Sequence, residues 1–140
     1  MKIPQHITQA LRDAEHKALA TYGKKGINVV PVSTMFVEKE TILLVDYFFK
    51  KTAENLKENH TVALACWSGL EGYQIKGTCK YLNQGKVVSK IKKWAAQKHP
   101  DRTVSGVLSI TPEDIYTVGA NSESGYSIFT ASADQTGKAS

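Results

Sequence analysis

The side chains able to do chemistry are few, and their spacing excludes more than it suggests. Cys66 and Cys79 are the two cysteines. Two cannot build a disulfide framework, and neither stands in a C-x-x-C pair, so both read as packed thiols. His6, His16, His60 and His99 show none of the short spacings by which histidines share a metal ion, and no metal site is expected. No catalytic triad or carboxylate pair emerges. The one concentrated signal is charge. Between Lys76 and Arg102 stand eight basic residues (Lys76, Lys80, Lys86, Lys90, Lys92, Lys93, Lys98, Arg102) against one acid, Asp101, in a chain of net charge +5. Such a stretch can attract phosphate, nucleic acid or an acidic partner. Tyr73, Tyr81 and Trp94 interleave with it, as stacking on single strands would require. Trp94, however, falls on the apolar stripe of its helix, which assigns it to the core and the lysines to a wet helix face. Nucleic-acid binding is not expected.

The elements that must position these groups follow from periodicity. At 140 residues, 41% hydrophobic and 22% charged, the chain suits one globular domain with a real core. No apolar run approaches the roughly 20 residues that span a bilayer, and the polar start, Met1 to His6, has no apolar signal core. A cytoplasmic protein without membrane attachment is the expectation. Ile7, Leu11, Ala14 and Ala18 recur at helical spacing and predict a helix over Gln5–Leu19, followed by a short strand to Tyr22 and a glycine turn at 23–26. Ile27–Val37 is β-rich, with Pro31 marking an edge or a bulge. Thr41–Val45 is a strand, Lys51–Asn59 a short helix and Thr61–Trp67 a strand. Gly72–Leu82 alternates sharply, Tyr73, Ile75, Gly77, Cys79 and Tyr81 against Gln74, Lys76, Thr78 and Lys80, as a half-exposed antiparallel strand does. Val87, Val88, Ile91, Trp94 and Ala95 make Lys86–Lys98 an amphipathic helix. Val104–Ile110 is a strand broken at Pro112 and resumed over Asp114–Val118. One domain is expected through residue 130, with a disordered tail at 131–140. Six or seven short strands with brief turns and inserted helices give a mainly β, α+β chain, closed or nearly closed into a barrel.

Three segments carry a resemblance. They are Leu19-Ala20-Thr21 leading through the glycine turn into Asn28–Thr34; Phe49–Asn59 followed by Val62-Ala63-Leu64; and Gly72–Thr78. In order and spacing together, Ala18–Leu82 resembles the FMN-binding split barrels related to pyridoxamine 5'-phosphate oxidase. The resemblance implies an antiparallel split β-barrel and a homodimer with FMN at the subunit interface. Its phosphate-binding positions match Lys50, Lys51 and Thr52. A helix N-terminus there would offer free N–H groups to a dianion, with lysine charge and a threonine hydroxyl added. By themselves the two lysines read as solvated loop residues and Thr52 as a helix cap; the flanking pattern favours the phosphate site. Pro31, Val32, Ser33 and Thr34 match the strand along which relatives lay the isoalloxazine ring. Asp46, Tyr47 and Phe48 match the strand end bordering it, while Phe49 reads as core. Gln74 faces outward, toward the flavin of the partner subunit or plain solvent. Tyr126 and Phe129 are aromatics that could cover a flavin edge. Related barrels take a deazaflavin or haem in place of FMN.

The chain departs from true pyridoxamine 5'-phosphate oxidases, which are longer and end in an Arg- and His-bearing segment that grips substrate phosphate. Here the arginines are Arg12 and Arg102 alone, and the chain ends Asp134–Ser140. The resemblance therefore implies an FMN-dependent oxidoreductase or flavin reductase of unknown substrate. The alternative is a non-enzymatic FMN-binding protein for electron transfer or storage.

Overall fold

Short turns at residues 24–25, 38–41 and 69–70 join consecutive strands, which must therefore run antiparallel. The computed structural model describes residues 2–120 and 125–130, the last two by backbone only. The tail expected at 131–140 and the Phe129 side chain lie outside the described residues. In chain order the elements are α1 (Gln5–Asp13), β1 (His16–Gly23), β2 (Gly26–Pro31), β3 (Met35–Val37), β4 (Ile42–Asp46), α2 (Lys50–Glu58), β5 (Thr61–Ser68), β6 (Glu71–Leu82), α3 (Lys86–Lys98), β7 (Gly106–Gly119) and β8 (Ser127–Thr130). The sheet order is β2-β1-β5-β6-β7-β4-β3, with β8 added to β7. Every pairing is antiparallel. The sheet curls without closing, because β2 and β3 end it. This is the split barrel expected from sequence.

The split is visible along β7. One edge of β7 pairs with β6 throughout. The other edge pairs with β4 over Gly106–Ile110 and with β8 over Asp114–Tyr116. Pro112 falls between those two partners, where its missing N–H leaves no ladder bond unmade. The strand therefore runs through the proline that sequence reading treats as a break. Opposite it the register shifts between Lys76 and Gly77. A Cβ at Gly77 would stand 2.2 Å from the Thr111 carbonyl oxygen, so only glycine permits this approach.

Two further boundaries differ from expectation. α1 stops at Asp13 and a strand begins at His16, although Lys17-Ala18-Leu19 are good helix formers. The ladder to β5, from His16↔Trp67 to Ala20↔Ala63, overrides local propensity. The apolar run Ile27–Val37 is two strands at opposite ends of the sheet. Pro31 ends the first, and residues 32–34 cross to the second.

β4 explains how one sheet serves two cores. All five of its residues are buried. Ile42 and Leu44 join Leu19, Leu64, Ile75, Ile110 and Ile115 under α1. Leu43 and Val45 face the other way, onto Val88, Ile91 and Ala95 of α3. A strand covered on both faces must be apolar throughout. Phe49 lies in the first core, and Trp94 packs edge-on against Phe36 at 5.1 Å in the second. The five lysines of α3 are exposed.

Gly77→Ala is expected to cost about 1–3 kcal/mol, read as a lowered urea midpoint; an unchanged midpoint would show that the bulge yields freely. The cysteines give a second expectation. Burial pushes the Cys66 thiol up to about 12 against the pull of Lys17, and Cys79 up to about 11. A group whose folded value is raised contributes stability that is whole below its unfolded value, roughly 8.5, and is lost as pH climbs toward the folded one. The urea midpoint should fall between about pH 9 and 11, less steeply in Cys66→Ala. Equal slopes in the two proteins would remove the thiol from the account.

Candidate functional site

The site begins where β4 ends. Asp46 is buried, and its Oδ1 accepts the Phe49 N–H at 2.7 Å. Its Oδ2 accepts the Tyr81 hydroxyl, and its carbonyl accepts the Ser105 N–H at 2.8 Å. Burial first, then the bond to Asp46 and its charge, push the Tyr81 phenol well above its ordinary range. The turn closed by Asp46 launches α2. The first helical bond runs from the Ala53 N–H to the Phe49 carbonyl, which leaves the N–H groups of Lys50, Lys51 and Thr52 without intrahelical acceptors. Lys50 and Lys51 are exposed beside them. The exposed Lys50 and Lys51 with their free N–H groups, a positive dipole end and two ammonium groups make an anion seat.

Thr52 does not share that exposure. Its side chain is fully buried, and its Oγ1 accepts Asn28 Nδ2 at 2.8 Å. One turn on, Asn55 Nδ2 donates to Thr21 Oγ1 at 3.1 Å. These two bonds seat α2 on β1 and β2 and fix the direction of its N-terminus.

The crossing segment 31–34 lies alongside. The Val32 N–H donates to the Lys17 carbonyl at 3.0 Å, and the Val45 N–H donates to the Thr34 carbonyl at 3.1 Å. Ser33 is exposed between these bonds, whereas Val32 and Thr34 are buried. Thr34 Oγ1 and Tyr47 Oη share a hydrogen bond of 3.2 Å. The Arg102 guanidinium lies 5.2 Å from the centre of the Tyr47 ring, and its Nη1 reaches Ser33 Oγ at 3.4 Å. Phe48 is 77% exposed.

Thus Ser33, Thr34, Asp46, Tyr47, Phe48, Lys50, Lys51 and Thr52 fall on the linked segments 31–34 and 46–52. Pro31 ends β2 on its exposed side, and Val32 is buried. Gln74 is not among them. It lies on β6 in the cross-strand row Pro31, Ala18, Ala65, Gln74, Tyr116, half-buried on the outward face. Tyr126 is exposed at the start of β8. Sequence reasoning missed Arg102, Tyr81 and Asn28, whose contacts bridge 69, 35 and 24 positions. Only the scarcity of arginine pointed at Arg102.

That outward face is also apolar. Tyr22, Ile27 and Val29 are 57%, 78% and 63% exposed, and they share it with Ala18, Ala20, Ala63 and Ala65. Large apolar groups over small ones on an edge strand mark a surface suited to a partner.

Comparison with known proteins places this architecture. An uncharacterized protein of Methanocaldococcus jannaschii is 28% identical over 130 residues, 89% of this chain and 87% of its own. The HupZ protein of Group A Streptococcus superposes with a TM-score of 0.74 at 23% identity, over 88% of this chain and 99% of that one. An FMN-binding protein from Syntrophomonas wolfei superposes with a TM-score of 0.70 at 17% identity, over 84% and 89%. At those identities the two structures share the fold. The family model described as pyridoxamine 5'-phosphate oxidase matches residues 3–119, and with most of its length so covered the chain belongs to the pyridoxamine 5'-phosphate oxidase family.

Proposed function

We propose that the chain binds FMN between the subunits of a homodimer and acts as an oxidoreductase on a small redox partner. The observation that carries this reading is the junction of the α2 N-terminus with the 31–34 segment. In this reading Lys50 and Lys51 hold the phosphate through their ammonium groups and free N–H groups. Thr52 serves by fixing the helix start, since the residue is buried and its hydroxyl is turned into the contact with Asn28. The exposed Pro31 and Ser33 face the polar edge of the ring system, over the buried Val32 and Thr34. Asp46 and Tyr47 fix the two segments, and Phe48 offers an exposed apolar wall. A second subunit seated on Tyr22, Ile27 and Val29 would cover the site and bring its own Gln74 toward it. The residues present fit the group: a cationic helix start suits a dianion, and a backbone edge suits an amide-like ring. Bound FMN would supply hydride or single-electron chemistry, while the protein positions it and controls access. Two free thiols suit a reducing cytoplasm.

A second reading, an electron carrier or FMN store, has its own support. The acidic and phenolic groups beside the junction are already engaged: both Asp46 oxygens are taken, and the hydroxyls of Tyr47 and Tyr81 are bonded. Reconstituted protein that oxidises NADH or NADPH would favour the enzyme; a flavin that cycles only with one-electron donors would favour the carrier.

FMN titration followed by fluorescence quenching tests the cofactor. Tight saturable binding is expected. An indifferent protein would overturn the reading and turn the titration to deazaflavin and haem. Lys51→Ala should weaken FMN by about 1.5–3 kcal/mol, roughly ten- to 100-fold, without moving the urea midpoint; unchanged affinity would move the phosphate elsewhere. Tyr81→Phe should weaken FMN several-fold through the α2 turn, with a normal circular dichroism spectrum. The double variant Ile27→Glu, Val29→Glu should sediment as a monomer and lose FMN. A flavin-loaded monomer would separate the site from the dimer.

A further inference from the structure

Of the two arginines, Arg12 donates to the Val37 carbonyl at 2.7 Å, and Arg102 stands beside the junction of segments 31–34 and 46–52. The backbone around Arg102 is tethered from both ends. The His99 N–H closes the last turn of α3 onto the Ala95 carbonyl at 2.7 Å, and the Arg102 N–H turns back to the His99 carbonyl at 3.0 Å. The His99 ring meets Trp94 and Tyr47 edge-on, with centroids 5.6 and 6.3 Å away. Beyond Arg102, Val104 is buried and the Asp46 carbonyl holds the Ser105 N–H at 2.8 Å. A side chain on so short a tethered loop has little freedom to leave the junction.

Arg102 is half-buried, and its charge is not answered. Its Nη1 meets the Ser33 hydroxyl at 3.4 Å, and the guanidinium carbon lies 5.2 Å from the centre of the Tyr47 ring. A hydroxyl and a ring face are no counter-ion. Among the described residues no carboxylate pairs with the guanidinium. Asp46 is committed to the Phe49 N–H and the Tyr81 hydroxyl, and Asp101 is exposed. Arg102 also borders a hollow of about 330 Å³, whose wall holds Lys92 and Thr103 and no acidic residue. Lys92 adds a like charge there. A guanidinium partly withdrawn from water favours a negative charge brought to it.

In the flavin reading above, on which this inference rests, Ser33 faces the polar edge of the ring system. That edge is neutral in the oxidised cofactor. Reduction adds a hydride from a small donor, which is itself oxidised, or two electrons from a chemical reductant and a proton from water. Either route leaves one negative charge, which the polar edge carries. Lys50 and Lys51 cannot respond to that change, because the phosphate they hold has the same charge in both states. Arg102 can, because it stands at Ser33.

We propose that Arg102 sets the redox potential of the site: its guanidinium stabilises the negative charge of the reduced ring system and leaves the neutral oxidised one almost unaffected. An opposite charge at such a distance favours the charged form of a group by tenfold or more. The protein thereby tunes the cofactor through a residue that α3 positions and that lies outside segments 31–34 and 46–52.

Reductive titration of the FMN-loaded full chain with dithionite, against a reference dye, tests it. Arg102→Gln should weaken the reduced cofactor about tenfold more than the oxidised one, which lowers the two-electron midpoint by about 30 mV. Arg102→Lys keeps the charge and should recover most of that shift. Lys93→Gln removes an exposed charge from α3 and should leave the midpoint in place. A midpoint unmoved in Arg102→Gln, a shift as large in Arg102→Lys, or an equal shift in Lys93→Gln would each overturn the proposal. The two readings fail differently. An unaltered protein that takes up no FMN removes both, whereas FMN held tightly at a midpoint that Arg102→Gln does not move removes the role of Arg102 alone.

Discussion

A buried aspartate at the end of β4 joins three other parts of this structure. Asp46 ends β4, caps the turn into α2 through the Phe49 N–H, and accepts the Tyr81 hydroxyl from β6. Its carbonyl receives Ser105 at the entry to β7. Removing a carboxylate from water is costly unless donors replace the lost solvation. Here the α2 turn and β6 supply those donors, while Ser105 ties the backbone carbonyl, so all three are fixed relative to β4. Gly106 follows from the same constraint: a Cβ there would meet the Tyr81 hydroxyl at 2.5 Å. The exposed lysines of α2 can be adaptable because the turn beneath them is not.

The two-faced burial of β4 extends the constraint across the molecule. Through Ile42 and Leu44 the strand belongs to the barrel core, and through Leu43 and Val45 to the α3 core. α3 is then followed by His99, which meets both Trp94 and Tyr47 edge-on. The Arg102 N–H bonds the His99 carbonyl at 3.0 Å, which turns the guanidinium back over Tyr47. A helix that contributes no residue to segments 31–34 or 46–52 thus sets an arginine above their junction.

The parts of the fold legible in the sequence are those decided locally. The alternation of β6 and the amphipathic stripe of α3 appear within a residue of their structural bounds, because each face meets a single environment. What escaped was decided by distant partners. Lys17-Ala18-Leu19 looks helical until β5 claims it. Ile27–Val37 looks continuous because nothing in its composition says that its halves pair at opposite ends of the sheet. Pro112 looks like a terminator because the gap between β4 and β8 is invisible in one dimension. The candidate site divides the same way. Lys50, Lys51 and Thr52 are contiguous and announce a helix start. The inward turn of Thr52 depends on Asn28, and the second tie on Asp46 depends on Tyr81, across intervals that no periodicity records.

The apolar face of β1 and β2 follows from the same economy of covering. The sheet has one inner face, filled by the first core, and α3 covers the outer side only near β4. α1 and α2 are both committed to the inner half, through Ile7, Leu11 and Leu56. Nothing in the described chain is left to cover Tyr22, Ile27 and Val29. Burying side chains of that size contributes about 1.5–3 kcal/mol each when they are fully removed from water. Two copies meeting on this face would gain that contribution twice, since a two-fold contact uses the same patch on both subunits. A charged or bulged edge would have been the ordinary defence against such pairing, and β2 has a defence only at its ends, in Lys24-Lys25 before it and Pro31 closing it. The middle of the strand is left apolar, and in the proposed dimer the second copy meets it face to face, with the segment 31–34 and the α2 N-terminus at its margin.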